Sequence, residues 1–173
     1  MIAIIDSGGA NIASVQFALE RLGAESVLTK DIKIIQSAEK VLLPGVGAAP
    51  IAMQNLAEHG LIDCIRGLTQ PVLGICLGMQ LLFAASPEGN IPLLGIFNAD
   101  CETFTPAQGR SVPHMGWNQL SKQQNHTLLA GVDEGAHVYF VHSYFAPVTA
   151  QTIAATNYGD DFTAIVAENN FMG

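Results

Sequence analysis

Charge is what this sequence has least of. Only 13% of its 173 residues are Asp, Glu, Lys or Arg, about half the share usual in soluble domains. Basic residues are the scarcest: seven Lys and Arg stand against fifteen Asp and Glu, for a formal net charge of −8. Nucleic-acid and anionic-membrane surfaces need clustered cations, so no such partner is expected. The three cysteines, Cys64, Cys76 and Cys101, are odd in number and widely spaced. That excludes a disulfide framework and points to a reduced, cytoplasmic setting. The apolar opening MIAII has no basic segment or cleavage site around it, so no secretory signal is expected. Neither a C-x-x-C nor an H-x-x-x-H pattern is found, and no metal site is read.

Apolar residues, in contrast, make up 49% of the chain, and a mean hydropathy of +0.32 excludes a disordered tail. One uncharged run, Gly67–Pro87, has 21 residues, enough to span a bilayer. Gln70, Pro71, Gln80 and the glycines at 67, 74 and 78 interrupt it, and no topology signal flanks it. A buried strand, a sharp turn and a helix suit it better.

The first half alternates short apolar runs with helical periods. Strands are expected at Ile2–Ile5, Ser26–Thr29, Lys40–Leu43 and Val72–Ile75. A helix capped by Asn11 should carry Ile12, Val15, Leu19 and Leu22 on one stripe and stop at Gly23. Further helices are expected from Pro50 to about Glu58, over Leu61–Leu68 and over Leu77–Ala85. This is the pattern of an α/β fold: a doubly wound, mostly parallel sheet with helices on both faces. The second half holds strand-like stretches around Cys101–Thr105, Gly116–Leu120, His137–Phe145, Thr152–Asn157 and Phe162–Ala167. With few helical periods between them, they read as antiparallel strands added to that sheet.

One stretch carries chemistry. In Gly74-Ile75-Cys76-Leu77-Gly78 a cysteine stands between two glycines where a strand ends and a helix begins. A nucleophile elbow needs small residues at both flanking places. The amino end of the helix turns free N–H groups and a positive dipole toward the sulfur, favouring thiolate. The Leu77 N–H is placed to hold an oxyanion. Chance supplies only about 0.03 such matches at this composition; a structural cysteine in a tight turn is the alternative. Pro44-Gly45-Val46-Gly47 also joins a strand to a helix. It reads as a second oxyanion donor at the carboxyl edge of the sheet, as a plain tight turn, or as a phosphate cradle, the last weakened by Pro50 at the sixth place of G-x-G-x-x-G. Of five histidines, His59, His114, His126, His137 and His142, only His142 is a candidate base for Cys76. The two on one strand, His137 and His142, should face opposite ways.

Taken together, LGICLGMQLL, LPGVG, IIDSGGANIASV, PHMGWN (113–118) and YFVHSY (139–144) resemble the class I glutamine amidotransferases. More narrowly, they are similar to the glutaminase subunits of imidazole glycerol phosphate synthases. The resemblance spans nearly the whole chain in the family's order. It implies one amidotransferase domain over residues 1–173, with Cys76 attacking the side-chain amide of glutamine to give a glutamyl thioester and ammonia. Leu77 N–H and the Gly45–Val46 peptide would form the oxyanion hole, the latter after a partner-triggered rotation. Gln80 and Glu88 would hold the substrate, His142, Ser143 and Tyr144 would line its pocket, and Trp117 and Asn118 would face the partner. That partner would be a (β/α)8-barrel cyclase subunit forming a heterodimer and taking ammonia through a tunnel. No cofactor is implied.

Two departures stand out. Ala10 replaces a glycine usual in the family's first loop. The family also continues past the equivalent of Phe171-Met172-Gly173 with a strand carrying Q-F-H-P-E, which supplies a catalytic histidine and glutamate. The expectation is therefore a domain truncated at its C-terminus and nearly inactive by itself, because the members of a triad act as a unit. The other expectation is a non-catalytic partner protein that keeps the fold.

Overall fold

The computed structural model describes residues 1–8 and 11–173. Gly9 and Ala10, with the departure at Ala10, lie outside the described residues. The first half runs β1 (Ile2–Ile5), α1 (Ile12–Arg21), β2 (Ser26–Thr29), α2 (Ile32–Ser37), β3 (Lys40–Gly45), α3 (Ala49–Glu58), α4 (Leu61–Arg66), β4 (Val72–Cys76) and α5 (Leu77–Gln80). Short strands β5 (Ala85–Ser86), β6 (Ile91–Pro92) and β7 (Glu102–Thr103) follow. The second half is β8 (His114–Gln119), β9 (Ser121–Lys122), β10 (His137–His142), β11 (Tyr144–Pro147), β12 (Thr152–Asn157), β13 (Asp161–Glu168) and β14 (Phe171–Met172).

Strand order in the main sheet is β2-β1-β3-β4-β14-β13-β11-β7, with β12 and β9 joined through β13. The members from β2 to β14 pair in parallel, and those from β13 onward are antiparallel. The α/β expectation with antiparallel strands in the second half therefore describes this molecule. The order reverses between β1 and β3, because β1 connects outward to β2 and the chain then returns past β1 to β3. Right-handed crossovers on the two sides of such a reversal put their helices on opposite faces. A crevice opens outside the carboxyl ends of the strands there, where α/β sheets bind ligands.

The parallel strands are short and almost wholly apolar, as strands covered on both faces must be. Ile4, Ile5, Leu43 and Val72 are at or below 1% exposure, and Leu56, Leu61, Ile65, Leu81, Leu82 and Phe83 are just as buried. Each such side chain contributes about 1.5–3 kcal/mol by leaving water.

Five local expectations are corrected. Helix α2 was not foreseen in the run IKIIQS; Asp31 caps it by accepting from Lys33 and Ile34 N–H. Asn11 sits in the left-handed region at φ 74° and its side chain makes no cap bond. Leu22 belongs to no buried stripe; it is 80% exposed at the end of α1. The helix expected over Leu77–Ala85 is one turn of four residues. It stops because the Leu81, Leu82 and Phe83 carbonyls are claimed from outside, by the N–H groups of Leu94, Ile96, Phe97 and Gly95. Stabilisation of negative charge at Cys76 therefore depends on the nearest N–H groups and not on a long macrodipole. The strand expected over His137–Phe145 also breaks at Ser143 into β10 and β11. No helix is long and apolar enough to cross a membrane among the described residues.

Candidate active site

Cys76 ends β4 with φ 57° and ψ −120°, a backbone state that an L-residue holds only when its surroundings enforce it. The flanking glycines show what enforces it. A Cβ on Gly74 would stand 2.6 Å from the Gly78 carbonyl oxygen and 2.7 Å from Met79 Cα. A Cβ on Gly78 would land on the Leu43 carbonyl, and one on Gly45 would meet Gly78 N at 2.7 Å. Helix α5 thus packs backbone against backbone on the ends of β3 and β4. The glycine spacing around Cys76 answers this close approach. Cys76 is exposed, whereas Cys64 and Cys101 are buried. Burial pushes both of those thiols up, Cys101 to about 12, with Asp100 and Glu102 adding to the effect.

Gly45 is the register partner of Cys76 across β3 and β4. Its strand is pinned just before it, where the buried Ser7 Oγ donates to the Pro44 carbonyl at 2.9 Å. Asn55 Nδ2 in turn donates to the Ser7 carbonyl at 3.1 Å. Ser7, Pro44, Gly45, Val46, Ile75 and Cys76 line a groove of about 220 Å³ at the reversal of strand order. On the far side of the loop, Glu88 Oε2 accepts from Ala49 N–H at 2.7 Å. Helix α3 begins there, and its own N-cap, Ala48, has no side chain to offer. Glu88 is therefore brought to the first turn of α3 and not to the lining of either hollow beside Cys76. An anion already sits where a phosphate would bind, so the phosphate-cradle reading of Pro44–Gly47 is dropped.

A second hollow, of about 450 Å³, opens on the other side of Cys76. Its walls are mostly apolar: Leu73, Ile75 and Met79 beside Cys76, Phe140 and His142 from β10, and Ile165 from β13. His142 shares this hollow with the sulfur, but both of its ring nitrogens are engaged. Nδ1 lies 2.9 Å from the Tyr144 carbonyl and Nε2 lies 2.9 Å from Nδ1 of His114. Burial pushes the His142 imidazole down to about 4, the Tyr144 carbonyl opposing and the His114 ring adding to the shift. Among the described residues no histidine is hydrogen-bonded to Cys76. Gln80 donates Nε2 to the same Tyr144 carbonyl at 2.8 Å. The Ser143 carbonyl accepts from Phe104 N–H at 3.1 Å. Tyr144 and Ser143 thus act here through backbone carbonyls bonded within the protein.

Strands β8 and β10 form a two-stranded sheet of their own. Register sets Trp117 opposite Tyr139 and Met115 opposite Val141, and all four are more than half exposed, Trp117 at 70%. Trp117 and Tyr139 meet edge to face with ring centroids 5.5 Å apart. Asn118 faces the other way, its Nδ2 donating to the Asn157 carbonyl at 2.9 Å. Of the two residues expected to face a partner, the structure puts Trp117 outward and Asn118 inward. The residue that sequence reasoning passed over is His114. It is 3% exposed and lies directly across from His142. Its signal is modest: a histidine at an inward position of a strand whose partner strand also ends in an inward histidine.

The family model "Glutamine amidotransferase class-I" matches residues 3–173. The chain belongs to the class I glutamine amidotransferases. Among curated relatives of this amidotransferase, the imidazole glycerol phosphate synthase subunit HisH of Xanthomonas campestris is 54% identical over 165 residues, covering 95% of this chain and 82% of the relative. The HisH subunit of Colwellia psychrerythraea is 46% identical over 185 residues, covering 98% and 82%. Within its class, this amidotransferase belongs with the HisH subunits. Solved structures agree on the fold. A crystal structure of a glutamine amidotransferase superposes with a TM-score of 0.73 at 19% identity, covering 99% of this chain and 86% of that one. The glutaminase domain of Trypanosoma brucei CTPS with bound acivicin gives 0.65 at 14% identity, covering 95% and 79%.

Proposed function

We propose that this chain is the glutaminase subunit of an imidazole glycerol phosphate synthase, its 173 residues working as one domain. The observation that carries the reading is the strained elbow at Cys76, held by backbone contact at Gly74 and Gly78 and open to hollows on both sides. The Cys76 thiolate adds to the side-chain carbonyl carbon of glutamine, and the developing oxyanion takes hydrogen bonds from Leu77 N–H and the Gly45–Val46 peptide. The C–N bond then breaks, nitrogen leaves as ammonia with a proton, and water cleaves the glutamyl thioester to glutamate. Gln80 holds the substrate's polar end, Glu88 fixes the loop behind the Gly45–Val46 peptide by accepting from Ala49 N–H, and the His142–Tyr144 segment closes the pocket. Water, and not His142, gives the leaving nitrogen its proton, because both ring nitrogens of His142 are engaged within the protein. Trp117 and Tyr139 give the exposed face that a (β/α)8-barrel cyclase covers, receiving the ammonia.

The test uses the chain together with its cyclase partner and the electrophile 6-diazo-5-oxonorleucine. A single adduct on Cys76, lost in Cys76→Ser, supports the reading. Trp117→Ala should leave the fold intact and weaken cyclase binding by more than about 30-fold, the size of an interface hot spot. Cyclase binding without any Cys76 adduct would leave a non-catalytic partner protein instead.

A further inference from the structure

The two buried imidazoles admit one arrangement of protons. The Tyr144 carbonyl can only accept, so His142 carries its proton on Nδ1. Neutral His142 then presents Nε2 as an acceptor, and the nitrogen 2.9 Å from it, Nδ1 of His114, must be the donor. His114 Nε2 is left as an acceptor, and Asn118 Nδ2 faces it at 3.5 Å, the loosest member of the series. At the other end the Tyr144 carbonyl also accepts from Gln80 Nε2. Four side chains and one carbonyl thus form a continuous chain from the hairpin of β8 and β10 to the helix that starts at Cys76. Aromatic rings seal it. Tyr158 stacks on His114 with centroids 3.9 Å apart, and Phe104 stands edge-on to His142 at 5.1 Å. A packed apolar pair would serve a core equally well, so the polar arrangement points to a use beyond stability.

We propose that His114 and His142 are positioning residues of the glutaminase reaction, locking the Tyr144 carbonyl, and through it the Gln80 amide on the helix that follows Cys76, to the hairpin that presents Trp117 and Tyr139. The inference rests on the glutaminase reading for its function but not for its geometry. With Nε2 tied to the Tyr144 carbonyl, which can only accept, Gln80 has Oε1 left for a ligand, and the two imidazoles hold that carbonyl in place. His114 and His142 lie on the inner face of the strands whose outer face carries Trp117 and Tyr139. A shift of the hairpin on docking therefore reaches the Gln80 amide through hydrogen bonds of fixed polarity.

Two measurements test it. Long-range proton–nitrogen spectra of the histidine-labelled chain at pH 7 should show His114 and His142 neutral and protonated on Nδ1; an Nε2-protonated His142 overturns the proposal. This reading needs no variant and decides the case even where a variant fails to fold. In His114→Phe the Gln80 side-chain amide should lose protection from hydrogen exchange. The concentration of 6-diazo-5-oxonorleucine needed to half-saturate Cys76 labelling should rise about tenfold, with the limiting rate within about twofold, as for one lost orienting bond. His114→Asn keeps a donor at the Nδ1 place and should restore both readouts. An unchanged Gln80 amide in His114→Phe, or no rescue by His114→Asn, overturns the proposal. Absence of labelling in the unmodified chain counts against the glutaminase reading alone, because the tautomers and the Gln80 amide still report on the relay.

Discussion

Gly45 and Cys76 face each other as the last registered pair of two neighbouring parallel strands. A positive-φ cysteine and the peptide expected to hold its oxyanion are thereby fixed by strand register rather than by a flexible loop. Anything that changes the fit of α5 on these two strand ends alters the site before it alters the rest of the fold.

Gly78→Ala makes this measurable. The added methyl would collide with the Leu43 carbonyl, a backbone atom in the middle of the sheet. We expect a loss of about 3 kcal/mol in urea unfolding, the upper end of overpacking costs, and slower alkylation of Cys76 in the protein that remains folded. Gly95→Ala is the comparison, since its added methyl meets open space at φ 64°; it should cost about 1 kcal/mol and leave alkylation unchanged.

Thiol titration separates the three cysteines. Cys76 is exposed; Cys64 and Cys101 are buried with their thiols pushed up. Only the thiolate reacts. One equivalent of maleimide should enter the native chain at pH 7 and three the unfolded chain, and Cys76→Ser should reduce the native count to zero.

Stability should depend on the imidazole pair in the mildly acid range. Burial lowers the proton affinity of both rings, His142 from an ordinary 6.5 to about 4. Between those values the unfolded chain binds more protons than the folded one. The folded state therefore loses stability as pH falls from 6.5 toward 4, and the loss levels off below. For His142 it is on the order of 2–3 kcal/mol. The charged neighbours behind the pair, Arg110 and Asp160, bond to each other, and Arg110 also donates to the Tyr158 carbonyl. Urea midpoints between pH 7 and pH 5 should fall in the unmodified chain and flatten in His142→Phe; parallel curves would refute the assignment.

Much of this was legible in the sequence, for reasons that can be named. Ile2–Ile5, Ser26–Thr29 and Thr152–Asn157 are short runs rich in Ile, Val, Ala and Thr, and these strands have the expected ends. The elbow at Cys76 was legible because close backbone approach leaves no choice but glycine at two fixed places. Helix α2 escaped because IKIIQS offers barely more than one turn, although Asp31 was there as a cap. Helix α5 is shorter than its sequence suggests because Leu81, Leu82 and Phe83 suit a helix locally, and only their remote acceptor duty toward residues 94–97 ends it. Glu88 reaches the α3 amino end from 39 residues away, and His114 reaches His142 from 28. No periodicity reports such distances. The split between Trp117 and Asn118 was within reach, since neighbouring residues of a strand face opposite ways.

The hairpin of β8 and β10 has its own ladder and is tied to the main sheet at its inner face by side chains such as Asn118. Its outer face can accordingly be rewritten while His114 and His142 on the inner face stay in place. On the function proposed above, changing Met115, Trp117, Tyr139 and Val141 would redirect the ammonia to a different acceptor enzyme.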